Sequence, residues 1–159
     1  MGKIFDYEIL KLSEEFYDDY PNPPYVEILK KHVRGYACLL FQSHNGYFIC
    51  VPYRSEISHK YAFHFKNTRR SQKHKSGLDY TKTVIIKDLK YLSIEKAVID
   101  QDEFVETRKH ISYIAEKAEE YVEGYKNHIN GTKVLIDKEF HRRYKCSALP
   151  YFHSELGMI

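Results

Sequence analysis

Two apolar runs, residues 36–42 (YACLLFQ) and 47–51 (YFICV), flank Ser43-His44-Asn45-Gly46, and no other stretch constrains the fold as strongly. Each run has strand length, and Asn-Gly supplies the positive φ angles that a tight antiparallel hairpin requires. The other strands are arranged around this hairpin. Ile4, Phe5, Tyr7, Ile9, Leu10 and Leu12 form a strand near the N-terminus. Ser13 is placed to cap a short helix over 14–20 that must stop at Pro21. PNPP at 21–24 predicts an extended turn, because proline removes a donor and restrains its predecessor.

The β-branched run 83–87 (TVIIK) and residues 91–98 add two more strands. Ser76-Gly77 is expected to break the chain before them. Asp100 with Glu103 has capping-box spacing. Phe104, Ile111, Ile114, Ala118, Tyr121, Val122 and Tyr125 then mark one face of a long helix, with Asn130-Gly131 as its stop. A last helix is expected over 137–146. The pattern is α+β, an antiparallel sheet with helices packed late, and 159 residues form a single domain spanning 1–159. At this size folding buries roughly 70% of the unfolded chain's surface.

Several classes fall away. No apolar run approaches the roughly 20 residues of a bilayer span, and MGKIFDYEILKL is no secretory leader. Three widely spaced cysteines, Cys38, Cys50 and Cys146, make neither a disulfide framework nor a zinc knuckle. The expectation is a reduced, cytoplasmic protein. There is no G-x-G-x-x-G, G-x-x-x-x-G-K-[ST], H-E-x-x-H or G-x-S-x-G motif, and no cofactor or metal ligand set is expected.

Charge is unevenly distributed. Residues 54–75 hold seven Lys/Arg and one acid, whereas 99–123 hold eight acids and three bases. A basic stretch interleaved with Tyr61, Phe63 and Phe65 suits a phosphate backbone with bases to stack, and a solvated lysine-rich loop reads equally well. Within it, Tyr53, Arg54, Ser55, His59 and Lys60 follow a strand end, and Ser76-Gly77-Leu78-Asp79-Tyr80-Thr81-Lys82 follows the basic run. The bland interpretation makes Ser55 a turn residue, His59 a surface imidazole, Lys60 a solvated ammonium, Asp79 a turn residue and Tyr80 a core residue. The functional interpretation is metal-free RNA cleavage. A base removes the 2′-hydroxyl proton, cations stabilise the phosphorane, and an acid protonates the leaving 5′-oxygen. His59 is the natural proton shuttle because imidazole titrates near neutral pH.

The run Val51-Pro52-Tyr53-Arg54-Ser55-Glu56-Ile57-Ser58-His59-Lys60, with Lys73-His74-Lys75-Ser76-Gly77-Leu78-Asp79-Tyr80-Thr81-Lys82 leading into a strand, resembles the type III toxin–antitoxin endoribonuclease toxins. The likeness is to the CptN and TenpN branch, with ToxN/AbiQ more distant, and it covers most of the chain. It implies a strongly twisted antiparallel sheet with surrounding helices, similar to ToxN and MazF/Kid toxins. It also implies metal-independent cleavage to 2′,3′-cyclic phosphate and 5′-hydroxyl ends. The implied partners are cellular RNA and a small antitoxin RNA of pseudoknot repeats. The toxin processes that RNA and is then held inactive by it in a closed RNA–protein oligomer. ToxN-like members carry Thr-Ser-x-Lys at the strand end; here it reads Arg54-Ser55, with the lysine at Lys60. A basic residue on the preceding strand corresponds to Arg34.

The expected catalytic residues are therefore Ser55, His59, Lys60 and Arg54. Arg34, Tyr53, His64, Lys66, Arg69, Arg70, Lys73, Lys75, Asp79, Tyr80 and Lys82 are the expected RNA-binding set. The rival is an RNA-binding module without catalysis. A protein–protein adaptor would need an apolar patch instead of this charge distribution.

Overall fold

A computed structural model describes residues 6–29 and 37–158. In chain order its elements are β1 (Tyr7–Leu12), α1 (Glu14–Asp19), β2 (Cys38–Gln42), β3 (Phe48–Arg54), β4 (Ala62–His64), α2 (Ser71–His74), β5 (Gly77–Asp79), β6 (Val84–Ile86), β7 (Leu92–Lys96), α3 (Gln101–Lys109), α4 (Ile111–Asn130) and α5 (Asp137–Tyr144). The seven strands form one antiparallel sheet in the order β4-β5-β3-β2-β1-β7, with β6 paired to β3 beside β5. The α+β class and the antiparallel sheet follow the sequence pattern.

The hairpin is central. β2 and β3 pair from Cys38↔Pro52 to Gln42↔Phe48, and Cys38, Leu39, Leu40 and Phe41 are all buried, so β2 is covered on both faces. Burial of each such side chain contributes about 1.5–3 kcal/mol. The turn is wider than Asn-Gly implied. Ser43 N–H donates to the Tyr47 carbonyl, and only Gly46 has positive φ, at 91°. Ser13 caps α1 as its sequence indicates, its side chain accepting from Phe16 N–H.

Several local expectations are corrected. PNPP does not run extended: Tyr25 N–H donates to the Pro21 carbonyl, and Asn22 Nδ2 reaches the Ile28 carbonyl at 2.7 Å, folding the segment onto itself. Gly77 does not break the chain but opens β5. There it pairs with Arg54 on one side and His64 on the other. A Cβ at 77 would collide with the Phe63 carbonyl, so only glycine permits that approach.

The capping box is not formed. The Asp100 side chain makes no hydrogen bond to the helix and meets Arg70 instead, 3.4 Å away. The long helix is two helices, α3 and α4, separated at His110 (φ −115°, ψ 20°). Phe104 is only half-buried, because the inward face of α3 is Glu103, Glu106 and Thr107, turned to the basic segment and not to the core. On α4, Ile114, Ala118, Tyr121, Val122 and Tyr125 are buried as the periodicity indicated, and Gly131 ends the helix at φ 79°. No helix among the described residues is long and apolar enough to cross a membrane.

Candidate functional site

The candidate residues sit on the β3–β5–β4 ribbon and the loops around it. Tyr53 pairs with Leu78 and Leu78 with Phe63; one step on, Arg54, Gly77 and His64 share the next row. Side chains alternate faces along a strand, so the two rows look opposite ways. The Tyr53 row faces α3 and the start of α4. Tyr53 Oη and Thr107 Oγ1 are 3.0 Å apart, and Phe63 packs on His110. Burial pushes the Tyr53 phenol well above its ordinary value, which keeps it a neutral hydrogen-bonding group. The Arg54 row faces the other way, with Arg54 and His64 two strands, about 10 Å, apart.

Asp79 organises that second face. It is fully buried, and its Oδ2 lies 2.6 Å from an Arg54 guanidinium nitrogen. Oδ1 accepts from Thr81 N–H at 2.9 Å and Thr81 Oγ1 at 2.7 Å. The Asp-x-Thr spacing is the signal of this Asx turn, and it makes Asp79 a turn residue buried beneath the site, not a contact for RNA. Tyr80 is likewise in the core, its phenol raised by burial. Both were expected among the RNA-binding residues, and burial removes them from that surface. Lys82 is mostly buried too. It joins Glu27 Oε1 at 2.5 Å to the Cys146 carbonyl at 2.8 Å, tying the 21–29 segment to the C-terminal part of the chain.

Two histidines flank this cluster, and their neighbours assign their tautomers. Tyr61 N–H donates to His59 Nδ1 at 3.1 Å, so Nδ1 carries the lone pair and the ring proton sits on Nε2. That Nε2 is buried, 3.2 Å from Asp79 Oδ1, without hydrogen-bond alignment. His59 is thus turned inward, and its one lone pair is already in use, which removes the basis for the proton-shuttle role expected of it. His64 holds the same tautomer with the other ring nitrogen engaged. Its Nε2 lies 2.8 Å from the His59 carbonyl, which only accepts, so Nε2 is protonated and Nδ1 holds a lone pair. The half-buried His64 gives that Nδ1 no partner among the described residues.

Ser55 and Lys60 lie on the loop between β3 and β4, Lys60 exposed with its ammonium 5.6 Å from the Tyr61 ring centroid. Glu56 holds the loop's turn at φ 56° and pairs with His74 at 2.8 Å. Lys66, Arg69, Lys73 and Lys75 are exposed and hold no carboxylate among the described residues. Arg70 differs, lying 3.4 Å from Asp100 and 3.8 Å from Glu103. Arg34 falls outside the described residues.

The acidic face of α3 is the feature that charge counting missed. Glu106, buried, accepts from Lys66 N–H and Asn67 N–H, both at 3.0 Å, and Asp102 accepts from Arg69 N–H at 2.7 Å. The basic and acidic stretches are therefore partners: α3 holds the loop's backbone while its lysine side chains point to solvent. Arg143, on α5, is a second unforeseen neighbour. Its guanidinium lies 5.9 Å from the Tyr61 ring and 2.9 Å from Glu139, and Tyr61 Oη is buried without a hydrogen-bond partner among the described residues. No local signal in the sequence links positions 61 and 143.

Compared with protein-family models, curated proteins and solved structures, the chain finds no match.

Proposed function

We propose that this chain is a metal-independent endoribonuclease toxin of the type III toxin–antitoxin kind, acting in the cytoplasm on cellular RNA and on its own repeat-RNA antitoxin precursor. The observation that carries the reading is which ring nitrogen each histidine leaves without a partner. Tyr61 N–H holds His59 with its Nε2 facing Asp79, and the His59 carbonyl holds His64 with Nδ1 unoccupied among the described residues, beside a loop of exposed lysines. In this reading Nδ1 of His64 takes the 2′-hydroxyl proton. The 2′-oxygen attacks phosphorus as the P–O5′ bond breaks, and the leaving 5′-oxygen takes a proton from solvent water, giving a 2′,3′-cyclic phosphate and a 5′-hydroxyl end. Lys60 and the exposed part of Arg54 stabilise the phosphorane charge. Ser55 orients the phosphate, since a serine hydroxyl is a poor base. His59 and Asp79 are positioning residues. The twisted sheet of ToxN and MazF/Kid toxins, and inhibition by pseudoknot RNA in a closed assembly, belong to the same proposal.

The experiment is incubation of the full chain with RNA in EDTA, followed by analysis of fragment ends. Cyclic phosphate and 5′-hydroxyl termini support the nuclease. RNA that shifts on a gel yet stays intact establishes instead the RNA-binding module without catalysis.

A further inference from the structure

We propose that Tyr113, buttressed edge-on by Phe63 and with His110 beside it, forms a stacking platform for one unpaired nucleobase, on the face of edge strand β4 opposite His64. The proposal deepens the RNA reading above and rests on it.

The platform exists because α3 and α4 are not one helix. The break at His110 turns that ring onto Phe63, with centroids 5.5 Å apart, and brings Tyr113 to 6.3 Å from Phe63 at an interplanar angle of 61°. Phe63 packs on Phe65 with centroids 5.8 Å apart, whereas Tyr113 is 53% exposed. Lys117 stands 5.6 Å from the Tyr113 centroid and also meets Glu120 at 3.4 Å. The exposed Tyr113 ring with an adjacent cation is what a base and its phosphate require. An apolar protein partner fits less well, because the patch is rimmed by the polar groups of His110, Ser112, Lys117 and Glu120.

Placement supplies the second part. β4 is three residues long and outermost in the sheet. Phe63 and His64 are consecutive, so they present to opposite faces of a single strand. An RNA chain rounding this edge therefore meets the His64 side with a phosphate and the platform with a neighbouring base.

The chain has no tryptophan, so Tyr113→Trp places the only indole on the platform. The full-length variant is titrated with a 2′-O-methyl RNA decamer, which cannot be cleaved through its 2′-oxygen, and with an abasic ribose-phosphate decamer. Affinity of labelled decamer is measured for wild type, Tyr113→Ala and Tyr113→Phe. The expected result is indole quenching by the base-bearing decamer alone. Affinity should fall roughly five- to hundredfold in Tyr113→Ala and be retained in Tyr113→Phe. Equal quenching by the abasic decamer, or unchanged affinity in Tyr113→Ala, overturns the platform. Quenching by a protein that leaves ordinary RNA uncut supports the platform while removing the nuclease reading. Failure of wild type to bind either decamer removes both.

Discussion

Asp79, shut off from solvent, holds the guanidinium of Arg54 at 2.6 Å through one carboxylate oxygen while the other takes both Thr81 donors. The first basic residue of the 54–75 stretch is thus anchored to the ribbon beneath it, and the chain between β3 and β4 leaves from a fixed point. Asp79→Asn retains only one acceptor oxygen and sets an amide N–H₂ against either Arg54 or Thr81. Breaking a buried charge pair from one side costs about 3 kcal/mol, or about 6–12 °C in Tm for a chain of this length. A thermal melt of Asp79→Asn checks this, and a midpoint within 2 °C of wild type rejects the anchoring role.

The arginines and lysines of the basic segment are not equivalent. Lys73, Lys75 and Arg69 are exposed, whereas Arg70 lies between Asp100 and Glu103. For single-stranded RNA each lost phosphate contact lowers the slope of log K against log salt by about 0.7. Removing Arg69, Lys73 and Lys75 together should flatten the slope by about 2. Arg70→Gln should change it by less than any single member of that set. Filter binding across a salt series reads both, and an equal effect from Arg70 shows that its carboxylate partners yield to RNA.

How much of this was legible in the sequence depended on the range over which the causes act. The hairpin, the Ser13 cap, the α4 stripe and the Gly131 stop follow from residues within one or two turns of each other, so local pattern suffices. Position 77 did not follow: its glycine serves a close approach of β4, fourteen residues away in sequence, and so resembled a breaker. The capping box failed because Asp100 and Glu103 found a stronger partner in Arg70, thirty residues earlier. The same holds for the site. The Arg54–Ser55 strand end and the exposed lysines could be read directly, but histidine roles depend on which ring nitrogen is already occupied, and that depends on Tyr61 N–H and the His59 carbonyl.

Glu103 offers a pH test. Burial is the largest influence on its carboxyl and lifts it above the ordinary carboxylate range, with nearby Arg70 pulling the other way. A raised carboxyl binds more protons folded than unfolded, so stability falls as pH rises from the unfolded value, about 4.3, through the folded one. Glu103→Gln removes that slope. The variant should melt higher than wild type at pH 7, and the difference should shrink toward pH 4. Parallel profiles over pH 4–7 would show that Arg70 fully offsets the burial.

The two histidines give the sharpest distinction, because they are joined through the His59 carbonyl yet have opposite ring nitrogens engaged. His59 Nδ1 receives Tyr61 N–H and its Nε2 is buried against Asp79, so His59→Ala leaves a half-buried backbone donor without its acceptor and a gap beside Tyr61. That costs about 1–3 kcal/mol. His64→Ala loses the Nε2 bond to the His59 carbonyl, about 0.5–1.5 kcal/mol or a few degrees of Tm, while lowering cleavage by about 10²–10⁴, the usual size of a general-base contribution. Lys60→Ala, which removes an exposed cation, should lower the rate by about 10²–10³ with Tm unchanged. Cleavage rates from pH 5 to 9 add a readout that a structural role does not move. Loss of a general base changes the shape of the pH–rate profile, whereas a positioning residue changes its height and keeps its shape. If His59→Ala abolishes cleavage with Tm intact and His64→Ala cuts RNA normally, the two roles are reversed and the tautomers seen here are not those of the working enzyme.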